Sequence, residues 1–373
     1  MPMIGVVFCG LYNAALDELT RDRTVASLPF GGRYRLIDFT LSNLVNSGIN
    51  TVGIITTSNY RSLLDHLGSC REWDLDRKNG GLVLLPPFVA GQRGKYRGKL
   101  DELGAALTFL ERRTEEYVFL TDTATVCQMD LRPILGAHAG TERDVTVLGV
   151  PAEKWQSERA ELVLETDGRG TVCGMSIDCL PGPGSFAGIG ACILSRELLI
   201  QAVRDCQARG LHHLERDFLQ SGFNRGKLRI AVHEHRDVFF RSTGVAEYFR
   251  NNLALLDEKV MHELFRPDMP VFTKVRDEVP SFYGDSARPE NCLIADGCEV
   301  YGRVERSVLF RAVTVGKGAE LTSCVVMQGS RIGEGAVLEN VIVDKGVTVF
   351  PHVHLRGAEE HPVVLRKGAV ISV

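Results

Sequence analysis

Four arginines, Arg21, Arg23, Arg33 and Arg35, crowd a short N-terminal stretch of this chain. A guanidinium presents a planar fork of donors that matches two oxygens of a phosphate or carboxylate. They flank Pro29-Phe30-Gly31-Gly32, whose paired glycines mark a tight backbone turn. Just upstream, Val6-Val7-Phe8-Cys9-Gly10 reads as a strand that ends on a glycine. At such a place backbone N–H groups can cradle a polyphosphate, provided small residues follow. Leu11, Tyr12 and Asn13 follow instead, and their side chains cannot reproduce the cradle. The arginines therefore have two readings, solvated loops with structural ion pairs or a site for an anionic metabolite. A second basic run, Arg93, Lys95, Arg97 and Lys99, poses the same choice.

Other reactive residue types carry less. Asp122 stands at the end of an apolar run, where a turn role competes with a chemical one. His233 and His235 share one face of a strand, but no third ligand accompanies them, and no metal site is expected. Ten cysteines include no C-x-x-C pair, and Cys9, Cys127, Cys192 and Cys324 sit among apolar neighbours. They read as buried reduced thiols in a cytoplasmic protein. A formal charge of −4 gives no case for nucleic-acid binding. No apolar run approaches the ~18 residues of a membrane span, so no membrane partner is expected. Met1-Pro2-Met3-Ile4 leads into a strand without the regions of a signal peptide.

Two textures position these residues. Up to about Leu256, short apolar runs alternate with helical periods. Ile4–Phe8, Thr51–Thr56, Leu82–Leu85, Tyr117–Thr121, Asp144–Val150, Glu161–Glu165 and Ala187–Leu194 are expected as strands. Ile37–Ser47, Asp101–Arg113, Leu131–Ala139, Arg196–Arg209 and Val245–Glu258 are expected as helices. Alternating βα units imply a Rossmann-like, mostly parallel sheet covered on both faces, with ligands at the carboxyl ends of its strands. Pro267, Pro270, Pro280 and Pro289 then punctuate a connector. Beyond it, aliphatic residues recur every six positions with interspersed glycine: Val315, Leu321 and Met327, then Val337, Val343, Val349 and Leu355. That beat is the hexapeptide signature of a parallel β-helix. Its register slips between Met327 and Val337, where a loop or bulge is expected. The boundaries are read as 1–260, a linker 261–290, and a β-helix 291–373.

The block from Pro29 through Asp38-Phe39, with Leu41-Ser42-Asn43 and Asn46-Ser47-Gly48, resembles the opening of bacterial glucose-1-phosphate adenylyltransferases (ADP-glucose pyrophosphorylases). Tyr60 to His66, Tyr96-Arg97-Gly98-Lys99-Leu100-Asp101, and Phe239-Phe240-Arg241-Ser242-Thr243-Gly244 resemble later elements of the same family. The resemblance spans essentially the whole chain. It implies a nucleotidyltransferase (GT-A-like) domain followed by a left-handed parallel β-helix. It also implies a reaction in which glucose 1-phosphate attacks the α-phosphorus of ATP and expels pyrophosphate, with a divalent metal held by carboxylates.

Carried over position by position, the resemblance marks losses. The family's glycine-rich loop keeps one glycine, Gly10, and its lysine ahead of Pro-Phe-Gly-Gly is Val25. Its two metal-binding aspartates fall at Ala124 and Ser242. Its sugar-phosphate lysine falls in Met175-Ser176-Ile177-Asp178-Cys179-Leu180-Pro181, which has none. His213 stands where a sugar-contacting aspartate is implied. Gly10, Gly31, Gly32, Gly98, Asp101 and Phe240 persist as nucleotide- and sugar-site remnants. The resemblance thus implies a non-catalytic partner of the catalytic adenylyltransferase subunit in a hetero-tetramer. Mg²⁺ would then be needed only by that partner, and a phosphorylated metabolite could act at Arg21, Arg23, Arg33 and Arg35. An enzyme with altered ligands, using Asp122, and a stand-alone sugar-phosphate or nucleotide sensor are the alternatives.

Overall fold

The computed structural model describes residues 2–56, 59–86, 97–157, 159–168 and 170–372. Arg93, Lys95 and Tyr96 lie outside the described residues. Compactness does not follow chain order. Met1–Leu11, Thr40–Ser58 and Gly68–Asp237 form one unit, while Tyr12–Phe39, Asn59–Leu67 and Val238–Val373 form the other. The N-terminal arginines therefore belong with the C-terminal repeats.

The first unit is a mixed sheet with helices on it. Its strands are β1 (Met3–Phe8), β2 (Thr51–Ile55), β3 (Gly81–Leu85), β4 (Tyr117–Asp122), β5 (Val145–Pro151), β6 (Ala160–Thr166), β7 (Val172–Cys179), β8 (Phe186–Ser195) and β9 (Ile230–Glu234). The order β7-β6-β8-β4-β1-β2-β3 places β1 between β2 and β4, with β5 added on β8 and β9 on β5. β3, β2, β1 and β4 run parallel, and β8 turns antiparallel against β4. Every residue of β1 is buried, as a strand covered on both faces requires. Two glycines show how both faces are covered. A Cβ on Gly5 would meet Leu44 at 3.0 Å, and one on Gly53 would meet Phe109 at 2.9 Å. Gly53 pairs with Val6, so it points opposite to Gly5. One helix therefore packs close on each side.

Sequence periodicity located the buried strands and the long helices and missed two half-buried strands. β7 and β9 escaped because much of each is only half-buried, so neither shows a continuous apolar run. The helix expected over Val245–Glu258 ends at Ala254. Asp257 starts a new one, Glu258–Leu264, by accepting a hydrogen bond from Lys259 N at 2.8 Å. No described helix is long and apolar enough to cross a membrane.

In the second unit the repeats form a left-handed parallel β-helix. Three sheets stack strand upon strand, all parallel. The buried core runs Val315, Leu321, Val326, Ile332, Leu338, Val343, Val349. The expected interruption between Met327 and Val337 is absent. One side of each coil is a residue shorter than the others, so Val326 and Leu338 point inward in place of Met327 and Val337. Met327 is buried on the outside, 3.7 Å from Arg23 Nη1. The true excursion leaves the coil between His354–Arg356 and Val363–Leu365.

The outward residues Val308, Val325 and Ile342 are fully buried as well. The helix Val245–Ala254 packs on that face at Val325–Val326, and Arg23 of the N-terminal segment reaches the β-helix at Met327 and Asp344. Arg23 Nη2 donates to both carboxylate oxygens of Asp344, at 2.6 and 2.5 Å, with both side chains at most 3% exposed. Breaking a buried pair leaves an uncompensated charge. Arg23→Met is accordingly expected to lower unfolding free energy by about 3 kcal/mol, read by chemical denaturation. Arg23→Met with Asp344→Leu is expected to recover much of that loss. Equal stability of Arg23→Met and the parent would show that the pair does not hold this face.

Candidate functional site

In the first unit the carboxyl ends of the parallel strands meet where a phosphate would lie. Phe8 pairs with Ile55 on one side and Asp122 on the other, and Gly10 follows two residues later. Asp122 is 1% exposed, and its Oδ1 accepts from Ala124 N at 3.0 Å. It therefore closes the turn it stands in. Ala124 is buried and offers a methyl group. Glu102 lies on the helix Lys99–Glu111, close enough to Cys9 at the end of β1 for its charge to act there. Burial, reinforced by Asp101 and opposed by Lys99, pushes its carboxyl up to about 7. When ionised it repels a phosphate at the strand end.

A small, partly open cleft lies beside this edge, walled by Phe8, Leu120, Val147 and Leu162. Its cation is Lys99, whose Nζ donates to Glu161 Oε2 at 2.7 Å and to Glu215 Oε1 at 2.5 Å. Both carboxylates line the same cleft. The charge that could hold a sugar phosphate is thus already neutralised. Met175, Ile177 and Asp178 lie on β7 and bring no cation to it.

The retained signature residues have folding roles. A Cβ on Gly98 would stand 2.3 Å from His212 O, so only glycine permits that approach. Asp101 Oδ1 binds His212 Nδ1 at 2.6 Å, and its Oδ2 accepts from Arg97 N at 3.0 Å. His213 N and His212 N both donate to Asp217 Oδ2 at 2.9 Å. These contacts tie the helix start to the π-helical turn Leu214–Gln220.

In the second unit the former loop is filled. Tyr12 adopts φ +65°, a left-handed conformation that costs a non-glycine residue roughly 1 kcal/mol. Arg241 holds it there by donating to Tyr12 Oη at 2.5 Å, with the guanidinium 5.2 Å from the ring centroid. Asn13 Oδ1 accepts from Val25 N at 3.0 Å, and the Val25 side chain is buried. Ser242 is fully buried, and Asn251 Nδ2 donates to its Oγ at 3.0 Å. Gly31 and Gly32, at φ +60° and +80°, turn the hairpin Pro29–Phe30/Tyr34–Arg35. Asn252 Oδ1 accepts from Gly31 N, and Tyr248 Oη donates to Pro29 O. Phe240 packs its ring 6.4 Å from that of Phe30.

The same unit contains a small, partly open cationic cleft. Arg33, Arg35, Lys274, Arg276, Arg311 and His66 line it. Of the four arginines singled out from sequence, Arg33 and Arg35 reach it. Arg23 is committed to Asp344, and Arg21 is exposed and outside the lining. Sequence reasoning missed Lys274, Arg276, Arg311 and His66, which come from segments far apart in the chain. Arg35 Nη1 donates to Ser62 O at 2.6 Å, and burial lowers its guanidinium to about 10. Arg311 is only 8% exposed, yet its Nε and Nη2 have no hydrogen-bond partner among the described residues. Burial first, then the charges of Arg33 and Arg276, press its ionisation downward. Buried guanidinium donors are normally satisfied, so these two point to an anion in the cleft.

Comparison with known proteins agrees with this architecture. Residues 5–172 match a family model described as nucleotidyl transferase, and residues 280–361 match one described as GlmU-like, C-terminal hexapeptide. The glycogen biosynthesis protein GlgD of Geobacillus stearothermophilus is 36% identical over 99% of this chain and 97% of its own length. GlgD of Bacillus subtilis is 33% identical over 99% and 96%. A glucose-1-phosphate adenylyltransferase of Bacillus cytotoxicus is 31% identical over 93% of this chain and 92% of its own. With its strand-edge site, its β-helix and full-length relatives of both kinds, the chain belongs to the family of GlgD and glucose-1-phosphate adenylyltransferase.

Proposed function

We propose that this chain is a catalytically degenerate, regulatory subunit for ADP-glucose formation in glycogen biosynthesis. It would assemble with a homologous catalytic adenylyltransferase subunit, as a hetero-tetramer, and tune it. The observation that carries this reading is the chemistry at the two positions where the family resemblance implies metal-binding aspartates. Ala124 supplies a methyl group, and Ser242 a buried hydroxyl already bonded to Asn251. This donor set does not fit Mg²⁺, which asks for oxygen ligands and usually carboxylates. Tyr12 over Arg241, Glu102 near Cys9, and Lys99 between two carboxylates oppose the remaining parts of the reaction. The cationic cleft would take a phosphorylated metabolite. Coupling to the partner would then be a difference in the cleft's affinity for that anion between two states of the assembly.

One observation favours a second reading. Asp122 does stand at the carboxyl edge beside Phe8, where a nucleotidyltransferase needs a carboxylate. With Mg²⁺, ATP and glucose 1-phosphate, the purified chain alone is expected to release no pyrophosphate above background. Added to the homologous catalytic subunit, it is expected to co-purify and to change activity or effector response several-fold. Turnover by the chain alone that disappears in Asp122→Asn would establish the second reading instead.

The cleft gives a separate expectation. Arg311→Met removes a buried charge with unpaired donors, and is expected to stabilise the ligand-free chain by about 1 kcal/mol. The same variant is expected to lose most of the rise in melting temperature that sulfate gives the parent chain. A variant that sulfate stabilises as much as the parent would refute an anion site at Arg311.

A further inference from the structure

Lys99 clasps the strand-edge cleft, and a third carboxyl stands beside the clasp without belonging to it. Lys99 Nζ donates to Glu161 Oε2 on β6 at 2.7 Å and to Glu215 Oε1 on the π-helical turn at 2.5 Å. One ammonium thus joins the start of the helix Lys99–Glu111, the strand β6 and the turn Leu214–Gln220. Glu102 lies three residues further along that helix, on the same side as Lys99. It is 5% exposed, and its Oε2 is buried without a hydrogen-bond partner among the described residues. A buried carboxylate with no donor is costly, and a neutral carboxyl much less so.

The surroundings of Glu102 leave it one way to ionise. The charges that act on it are those of Lys99 and Asp101, on its own helix. Asp101 is bound to His212 and repels a second carboxylate. Cys9, at the end of β1, feels the charge of Glu102 and is itself kept protonated by burial. The helix packs on β2 and on the helix Arg196–Ala208, and among the described residues neither brings a charge to bear on Glu102. Lys99 is therefore the cation that an ionised Glu102 draws, and three carboxylates then compete for one ammonium. Without Lys99, the side chains of Glu161 and Glu215, 35% and 18% exposed, still reach water, whereas Glu102 does not. The buried carboxylate has the strongest claim, because its charge is the least screened.

We propose that Glu102 is a proton-operated release for the Lys99 clasp. Neutral, it leaves Lys99 on Glu161 and Glu215, and the π-helical turn stays tied to β6. Ionised, it draws Lys99 away and frees the turn, whose Leu214, Glu215 and Leu219 line the cleft. The proton leaves at about 7, against an ordinary 4.5, because burial disfavours the charge more than Lys99 favours it. Across that window the folded chain keeps a proton that the unfolded chain has lost. Stability therefore falls as pH rises from about 4.5 to about 7.

Hydrogen exchange of the turn in the full chain, normalised to the intrinsic rate at each pH, reads the release. The ionised fraction of a group at about 7 rises from about one tenth at pH 6 to about nine tenths at pH 8. Amides of Leu214–Gln220 are accordingly expected to exchange roughly tenfold faster at pH 8. Infrared difference spectra between the two pH values are expected to show the loss of a protonated-carboxyl band that is missing in Glu102→Gln. Glu102→Gln and Glu102→Leu are both expected to exchange slowly at either pH, and Lys99→Met rapidly at either. His212→Gln, which removes the imidazole bound to Asp101, is expected to keep the parent's step. Equal exchange of the parent at both pH values, or absence of the infrared band, would overturn the proposal. So would slow exchange in Lys99→Met, which would show that Lys99 does not hold the turn. A step that persists in the Glu102 variants, or disappears in His212→Gln, would assign the proton elsewhere and overturn it as well.

Discussion

The ion pair between Arg23 and Asp344 joins residues 321 positions apart with almost no exposure to water. Its members would each be costly alone in that environment, so each requires the other. Around it the segment Tyr12–Phe39 becomes part of the β-helical unit. The hairpin with Gly31 and Gly32, the Tyr12–Arg241 contact and the cationic cleft all lie within that unit. A loop built to wrap a polyphosphate needs freedom to close. Here the segment that follows Gly10 is instead packed, bonded and charge-matched to the repeats.

The residues that read as a nucleotide-site signature persist alongside this for reasons that need no nucleotide. Gly31 and Gly32 take left-handed φ values that the hairpin demands. Gly98 admits the His212 backbone, and Asp101 fixes the imidazole beside it. Phe240 packs on Phe30. Such positions report the backbone path of the family. The chemistry would have to come from side chains free to act, and at the corresponding positions those are absent, as at Ala124, or engaged, as at Ser242 and Lys99.

This division explains what was legible in the sequence. Apolar periodicity found β1, β2, β4 and the helices Leu131–Ala139 and Arg196–Ala208 almost to the residue, because burial on one or both faces writes itself into residue type. The hexapeptide beat found the β-helix but misread Met327 for Val326, since both are apolar and buried, one inward and one outward. The compact units were not legible, because affiliation is set by contacts such as Arg23 with Asp344 that leave no local pattern. For the same reason Arg33 and Arg35 could be named as candidate anion ligands, while Arg311, in the repeats, could not. Lys99 showed the reverse: its sequence context resembled a binding element, and its carboxylate partners Glu161 and Glu215 were invisible until the chain folded.

The electrostatics of the two units then carry opposite meanings. In the first, Lys99 is balanced by Glu161 and Glu215, and Asp101 by His212, so its cleft is complete as it stands. In the second, Arg311 is buried beside the charges of Arg33 and Arg276, and two of its donors meet no partner among the described residues. A protein under selection for stability alone would replace such residues, since a buried unpaired charge costs more than an apolar side chain of the same size. Strain of this kind is tolerated where a ligand relieves it. In this chain the strand-edge unit pairs its charges internally, and the unbalanced charge belongs to the unit that holds the repeats.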